Sequence, residues 1–549
     1  MMKTRAILGV AIAIALAVVG CGGTDKSGSS DHAGGFLRLG DAGSKIDTLN
    51  PWVSQNFFGA MTFRYVYPHL LQYDAEGKEI VGELADDFRV GDDGVTWTYD
   101  LARDAKWSDG QPLTSDDVVW TMETTLKYKD GPTALGYGLE ANVASIKAPN
   151  ESQVVIRFKK PASDDQSLLS YFPILPKHIW SQHVGTDGKG LTTWKNPAPL
   201  VSGGPFILEK YTPDVSMIFR RNPTYHGTKP HIEGFGLQFL GSHDAMVSAL
   251  KQGQLDIGLE VPPLTVKTLE SDPSLTVATP AGPGQNAIIV NSNPNKPDHK
   301  ELQIPEVRQA MSMAIDREKL VEVVTDGQGV VATTLVPPTV PKWTGQDKLP
   351  PFPRDVAGAN ALLDRLGFKR GPDGIRVANG SKMSYDFNYC PCYGDRPQVI
   401  IKESLADIGI GVTVKSADPE AFFAAFTAPD NKALDYDFGM FDAQAQPDPS
   451  PILSNLTCSQ QGNSNFARFC DEHYDELYRE QARELDNDKR LELVVEMQRY
   501  IREKAPWMPL YDQSSPVAWR NNVKDFRPSG NIIDTLSTAQ FTDVQLEGK

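Results

Sequence analysis

At 549 residues the chain is too long for one ordinary hydrophobic core, so two or three domains are expected. Its formal charge of −16, from 54 basic and 70 acidic side chains of interspersed sign, argues against nucleic acid as a partner and against simple adhesion to anionic lipid. No long apolar stretch follows the N-terminal one, so nothing after it is expected to span a membrane.

Lys3 and Arg5 precede an almost unbroken apolar run from Ile7 to Val19, and Gly20 leads into Cys21. A charged start, a short apolar core and small residues before a cut site describe an export signal over residues 1–20. The run is shorter than the roughly 20 residues a membrane span needs. Small residues leading into a cysteine resemble a bacterial lipobox, which implies cleavage before Cys21 and a lipid on its sulfur; the alternative is a plain secretory signal with an incidental cysteine. Residues 21–34, rich in Gly and Ser, are expected to be a flexible tether. The mature protein is then extracytoplasmic, held at the bacterial cell membrane by lipid alone, in an envelope of one membrane or two. Cys390, Cys392, Cys458 and Cys470 form an even set in an oxidising compartment, where disulfides are expected.

Phe63, Val66, Tyr67, Leu70 and Leu71 recur at helical spacing. Trp97, Tyr99 and Leu101 alternate as in a strand, and Asp109-Gly110 signals a turn. Thr114-Ser115-Asp116-Asp117 predicts a helix start, with Val119, Met122 and Leu126 as its buried stripe. Val154, Ile156 and Phe158 predict a second strand. Further on, Ile400, Ile401, Leu405 and Ile408 form a helical stripe that ends at Gly409, and Val412-Thr413-Val414 reads as the following strand. Asp435 to Phe441 is a candidate strand, and Gln446-Pro447-Asp448-Pro449 an irregular loop. Two helical stripes follow, one from Tyr474 to Leu485 and one from Leu491 to Ile501. Mixed strands and helices without a single repeating period predict α/β lobes.

The segment Trp97-Thr98-Tyr99-Asp100-Leu101, followed by Trp107-Ser108-Asp109-Gly110-Gln111-Pro112-Leu113-Thr114-Ser115-Asp116-Asp117-Val118, resembles the signature of family 5 extracytoplasmic solute-binding proteins. Ile174-Leu175-Pro176-Lys177-His178, Gly203-Gly204-Pro205-Phe206, Arg220-Arg221-Asn222-Pro223-Thr224-Tyr225, Ala249 to Asp256, Val307-Arg308-Gln309-Ala310 and Ala314-Ile315-Asp316-Arg317 continue the likeness in order. The motifs also have plain structural readings: Asp109-Gly110 turns the chain, Thr114 caps a helix, and Arg308, Asp316 and Arg317 decorate an amphipathic helix begun by Pro305. The resemblance implies a two-lobed periplasmic-binding-protein-like fold of the class II type, with an extra domain inserted in the first lobe. Carried over, the first lobe comprises residues 35–71, 201–285 and 510–549, the inserted domain 72–200, and the second lobe 286–509.

The same resemblance implies an ABC importer's substrate-binding component, a monomer that captures a small solute and delivers it to permease subunits. The first expectation is a short peptide; an oligosaccharide, a metal chelate, haem, or service as a ligand sensor are the alternatives. Peptide-binding members present an aspartate to the ligand's ammonium from a loop after a second-lobe strand. Over Gly439 to Pro447 that position falls on Ala443, a departure from the family, leaving Asp442, Glu260 or no carboxylate as the amine anchor. Tyr389 to Arg396 matches another pocket-lining loop, where Arg396 could grip a carboxylate through two parallel N–H bonds. Phe422, Phe423, Phe441 and Tyr511 are candidate aromatic walls with Met440 beside them, and Gln55 and Asn56 candidate polar contacts from the first lobe. Dipeptide-binding members carry a disulfide like Cys458–Cys470. Cys390-Pro391-Cys392 would close a strained ring, hold a soft metal or stay reduced, with structural use favoured over the metal.

Enzyme signatures are missing from the sequence: no Gly-x-Ser-x-Gly elbow, no His-Glu-x-x-His pair, no phosphate loop ending in Gly-Lys-Ser/Thr. Gly327-x-Gly329-x-x-Ala332 imitates a dinucleotide loop but follows a helix, and His178 and His183 are five apart rather than three or four. No catalytic residue, cofactor or metal is expected.

Overall fold

The computed structural model describes residues 35–42, 46–54, 57–74, 79–128, 139–161, 163, 165–349, 351–427, 436–444, 446–528 and 538–547. Cys21, Gln55 and Asn56 lie outside them. Among the described residues no helix is long and apolar enough to cross a membrane.

Three sheets organise the chain. A seven-stranded sheet runs in the order Leu275–Ala278, Val517–Arg520, Ile257–Gly258, Phe36–Ala42, Gly234–Leu240, Ser216–Arg221 and Phe206–Thr212. A four-stranded antiparallel sheet, Ala85–Val90, Thr96–Leu101, Gln153–Phe158 and Val143–Asn150, is built from the chain between two of its strands. The two share one core, in which Tyr65 meets Phe206, Phe219, Phe235 and Phe541 at ring distances of 5.0–5.9 Å. The third sheet has six strands, ordered Val330–Val331, Trp507–Ser514, Ala281–Val290, Phe438–Gln444, Ser384–Tyr389 and Gly411–Ser416.

The six-stranded sheet is apolar on both faces, as a sheet covered on both sides must be. Ile288, Val290, Phe438, Met440, Met508 and Leu510 pack into one core. Ala287, Ile289, Ala443 and Trp507 pack into the other. This is the two-sided alternation of a strand.

The seven- and six-stranded sheets are joined by two neighbouring strands. Leu275–Ala278 continues into Ala281–Val290, and Trp507–Ser514 continues into Val517–Arg520. These chains pair with each other on both sides of the junction, Ala278 with Val517 and Ala281 with Ser514, and Ser515 N–H donates to Pro280 O at 3.0 Å between them. Gly282 is required there, because a Cβ would stand 2.9 Å from both Gln513 O and Ser515 Oγ. The expected lobe junctions at 285/286 and 509/510 fall inside these two strands.

Several sequence-level expectations meet their physical cause here. Thr114 N–H donates to Asp117 Oδ2 at 3.0 Å while Thr114 Oγ1 accepts from Asp116 N–H at 3.3 Å, a reciprocal helix cap. That helix, Ser115–Lys127, buries Val118, Thr121, Met122 and Thr125 rather than the stripe through Val119 and Leu126. Thr121 and Thr125 can be buried there because they satisfy their hydroxyls on the carbonyls of Asp117 and Thr121, and Val119 and Leu126 are partly buried at the margin of the same core. The first helix stops at Val66 before Pro68, and Leu71 begins a strand. Leu485 is exposed beyond its helix, which ends at Gln481.

Arg308 and Arg317 do not decorate a surface: they are 3% and 2% exposed. Arg308 donates to Lys504 O and Leu302 O, and Arg317 to Pro509 O and Ser312 O, so each ties a helix to the chain entering the central sheet. Burial lowers their pKa values, to about 10 and about 9.

A buried ion pair fixes the loop that was expected to be irregular. Arg490 grips Asp448 with two bonds of 2.8 Å, donates to Gln481 Oε1 and Ser450 Oγ, and lies 4.6 Å over the Trp343 ring. Removing one partner of such a pair leaves an uncompensated charge, which costs roughly 3–5 kcal/mol. Arg490→Ala is therefore expected to lower stability by about that amount in urea unfolding, and Arg490→Lys to recover only part of it, because an ammonium cannot reproduce the two-point grip.

Candidate functional site

The site forms where the apolar cover of the six-stranded sheet stops. The helix Arg317–Val324 covers one face and ends at Val324 and Thr325. Beyond that end a cavity of about 430 Å³ opens beside the central strands. Its walls are Asn286, Tyr511, Gln513, Ser514, Asp442, Cys392, Tyr393, Val324 and Thr325 from the six-stranded side, and Pro263 from the other. It therefore lies between the two lobes, beside the joining strands and at the carboxyl ends of Ser384–Tyr389 and Phe438–Gln444.

Register determines which side chains reach it. Asn286 stands opposite Asp442 on one neighbouring strand and opposite Tyr511 on the other. These three form a row across the sheet on the face that carries Ile288 and Met440 in the core. Tyr511 joins the row because a bulge between Asn286/Tyr511 and Ala287/Pro509 inserts one extra residue, re-aiming the side chain. Ala443, opposite Gln285, belongs to the other face and is packed in the core at 3% exposure. The stretch expected to be a loop is thus strand through Gln444, and its cleft-facing carboxylate is Asp442.

The polar atoms of this row are poorly satisfied. Asp442 Oδ2 accepts from Gln444 Nε2 at 2.8 Å, but Asp442 Oδ1, both amide atoms of Asn286 and Ser514 Oγ are buried with no hydrogen-bond partner in the protein. Leaving such atoms unpaired costs about 1–3 kcal/mol each. Burial pushes the Asp442 carboxyl up to about 6, the Gln444 amide holding it partly down. Burial also raises Tyr393 to about 12, with the Asp442 charge adding to it, and raises Tyr511 further. Gly284 leaves room for this arrangement: a Cβ there would stand 3.0 Å from Asp442 Oδ1 and 3.1 Å from Gln513 Oε1. The cleft thus offers one carboxylate, two amides, hydroxyls and aromatic edges, a set suited to an ammonium group attached to a polar, flat ligand.

The other sequence-derived candidates are placed around this row rather than in it. Glu260 does not line the cavity; it is exposed at a left-handed turn (φ 50°), next to Val261, whose N–H bonds Pro516 O at the junction. Its carboxyl is nonetheless raised, by desolvation first and by Asp41 second. Tyr389 is fully buried and donates its hydroxyl to Gly394 O, so it supports the loop that carries Cys392 and Tyr393. Arg396 donates to Val323 O at 2.7 Å, at the carboxyl end of a helix. Phe422 is in the core against Tyr393 and Phe426, and Met440 is fully buried beneath the sheet. Phe441 points to the opposite face, against Phe466 and Trp507. Cys392 and Tyr393, inside the expected pocket-lining stretch Tyr389 to Arg396, complete the walls with Asn286, Gln513, Ser514 and Thr325, and these last four were not singled out from sequence. Asn286 carried the one usable signal, a polar residue opening the apolar run Ala287 to Val290. The sulfurs of Cys390 and Cys392 lie 2.17 Å apart, and those of Cys458 and Cys470 2.08 Å. Among the described residues no group of three or more His, Cys, Asp or Glu could hold a metal ion.

Residues 79–465 match the family model described as bacterial extracellular solute-binding proteins, family 5 middle. Di/tripeptide-binding protein 1 of Pseudomonas aeruginosa is 27% identical over 485 residues, covering 84% of this chain and 86% of that protein. Among solved structures, the substrate-binding protein CtaP of Listeria monocytogenes superposes with a TM-score of 0.78 at 20% identity, over 94% of this chain and 100% of that one. The periplasmic binding protein DppA of Helicobacter pylori, in complex with the peptide STSA, superposes with a TM-score of 0.72 at 20% identity, over 94% and 99%. A mixed α/β, two-lobed architecture and a match over most of its length place this chain in family 5 of the bacterial extracellular solute-binding proteins.

Proposed function

We propose that the protein is the substrate-binding component of an ABC importer and captures short peptides with a free amino terminus between its lobes. The observation that carries this reading is the row Tyr511–Asn286–Asp442, which sets a half-satisfied, buried carboxylate beside an unpaired amide in the inter-lobe cavity. The di/tripeptide-binding relative and the peptide-bound fold relative support the ligand class. In this mechanism nothing is transformed. The ammonium seats on Asp442, the ligand's backbone amides meet Asn286 and Ser514, and the lobes close about the paired strands. Ordered water absorbs side-chain differences. The first lobe is taken as residues 35–71, 201–285 and 510–549, the inserted domain as 72–200 and the second lobe as 286–509. A lipid on Cys21 holds the protein at the membrane outside the cytoplasm, as a monomer that docks on the permease. A disulfide between Cys458 and Cys470 closes the loop before the helix Glu472–Gln481.

Titration calorimetry with a dipeptide and its N-acetylated form tests the anchor. Asp442→Asn is expected to weaken the free-amino peptide by a hundredfold or more, about 3 kcal/mol or above, and to change the acetylated one little. Glu260→Gln is expected to affect both alike. Ala443→Asp places a charge in the core face and is expected to destabilise the protein without strengthening either ligand. Wild-type protein that binds neither peptide would remove the peptide assignment.

The pH dependence has a fixed sign. In the empty cleft Asp442 titrates near 6, above its ordinary value, whereas an adjacent ammonium favours the ionised form. Binding below pH 6 must therefore expel a proton, and affinity for free-amino peptides is expected to fall by up to tenfold per pH unit below 6. Asp442→Asn should abolish that slope, and an unchanged slope in the variant would assign it to another group.

Two covalent features are checked separately. Cys21→Ser is expected to leave an uncleaved or soluble exported form, and a variant still processed and membrane-retained would refute the anchor. A non-reduced digest of exported protein should contain the Cys458–Cys470 cross-linked peptide; free thiols at both positions would count against it.

A further inference from the structure

The cavity has one wall that peptide capture does not use. Cys390 directly follows the strand Ser384–Tyr389 and is fully buried, within the apolar core. Cys392, two residues on, is exposed and lines the cavity with Asp442 and Tyr393. The loop between them is held by the Tyr389 hydroxyl on Gly394 O, and the Cys392 N–H donates to Cys390 Sγ at 3.2 Å. The sulfurs are adjacent, one facing the ligand space and the other shielded from it. Cys458 and Cys470 do not line the cavity.

We propose that Cys390 and Cys392 form a disulfide that receives thiol-bearing ligands, amino-terminal cysteinyl peptides above all, by reversible thiol–disulfide exchange at Cys392. The inference rests on the inter-lobe cavity being the ligand site. The ligand thiol loses its proton to water, and its thiolate attacks Cys392 Sγ, the sulfur open to the cavity. A ligand–Cys392 disulfide forms as the Cys390–Cys392 bond breaks. Cys390 leaves as a thiolate that accepts the Cys392 N–H and then takes up a proton. One disulfide is exchanged for another, so no oxidant or reductant is consumed. Release is the same step reversed: Cys390 thiolate attacks Cys392 Sγ and expels the ligand thiol. Asp442 holds the ligand's ammonium in the same cavity, which gives the exchange its selectivity for amino thiols over other thiols.

The test uses full-length exported protein purified without reductant. It is incubated anaerobically with reduced Cys-Gly, with Ser-Gly, and with mercaptoacetyl-glycine, a thiol lacking the ammonium group. Acid-quenched intact mass and peptide mapping are the readouts, with calorimetry for Ser-Gly. The expected result is a mass gain of one whole Cys-Gly, located on Cys392, that disappears when the free thiol is removed. Half-conversion should need at least tenfold less Cys-Gly than mercaptoacetyl-glycine, and Asp442→Asn should erase that preference. Cys390→Ser and Cys392→Ser should give no adduct, because two thiols cannot join without an oxidant. No adduct at millimolar Cys-Gly, an adduct on Cys458 or Cys470, equal reaction of both thiols in the wild type, or free thiols at 390 and 392 in the exported protein would each overturn the proposal. Ser-Gly that binds while Cys-Gly forms no adduct sinks the exchange alone. Ser-Gly that fails to bind counts against the peptide reading, and the mass measurement still decides the exchange.

Discussion

The paired strands Ala281–Val290 and Trp507–Ser514 are the constraint on which the rest depends. Both leave the six-stranded sheet on the same side and enter the seven-stranded sheet as neighbouring chains, linked across the junction by Ser515 N–H on Pro280 O. Two strands bonded to each other resist sliding, so in the proposed trap the motion left to the lobes is rotation about the junction. Residues that line the cavity, Asn286, Tyr511, Gln513 and Ser514, belong to these strands. The same backbone bonds therefore fix the position of the groups that line the cavity.

The polar row is sustained by its surroundings. An unpaired amide and a carboxylate raised to about 6 oppose folding of the empty site. Around them the sheet is packed on both faces and clamped by Arg308 and Arg317 on backbone carbonyls. The site's strain is local and its support is distributed, as binding sites generally require.

Much of the fold could be read from the sequence because its signals are local. The Thr114 cap, the helix running through Ile400, Ile401 and Leu405, and the strand at Val412 follow from spacing and turn chemistry. The site was legible only as a neighbourhood. Counting from Gly439 reaches Ala443, yet side-chain direction depends on the strand's register, and a step of one residue exchanges the cavity for the core. Tyr511 faces the cavity only because of a bulge that no local pattern announces. In the stretch from Tyr389 to Arg396, the terminal residues proved to be supports and the interior ones, Cys392 and Tyr393, the walls. Tyrosines and arginines that buttress a loop carry the same residue types as those that line it, so composition alone could not separate them.

Closure can be weighed in the same terms. Away from the joining strands, the chain between residues 72 and 200 touches the six-stranded lobe through a Lys342–Glu79 ion pair of 2.8 Å and through Ser163, bonded to the carbonyls of Gln481 and Ala482. Glu79 is largely exposed, and a surface pair of this kind contributes about 0–1 kcal/mol. The Ser163 bonds add about 0.5–1.5 kcal/mol each. Opposing them are the unpaired atoms of Asp442, Asn286 and Ser514, at about 1–3 kcal/mol apiece. The opposing set, four atoms in all, outweighs the clasp, so the clasp by itself does not favour closure. A ligand that satisfies the row removes the opposing terms without touching the clasp, and its differential affinity for the closed form is what shifts the population. A ligand that fills the cavity but leaves Asp442 unpaired lacks that leverage. In the proposed trap, selectivity therefore resides in closing as much as in binding.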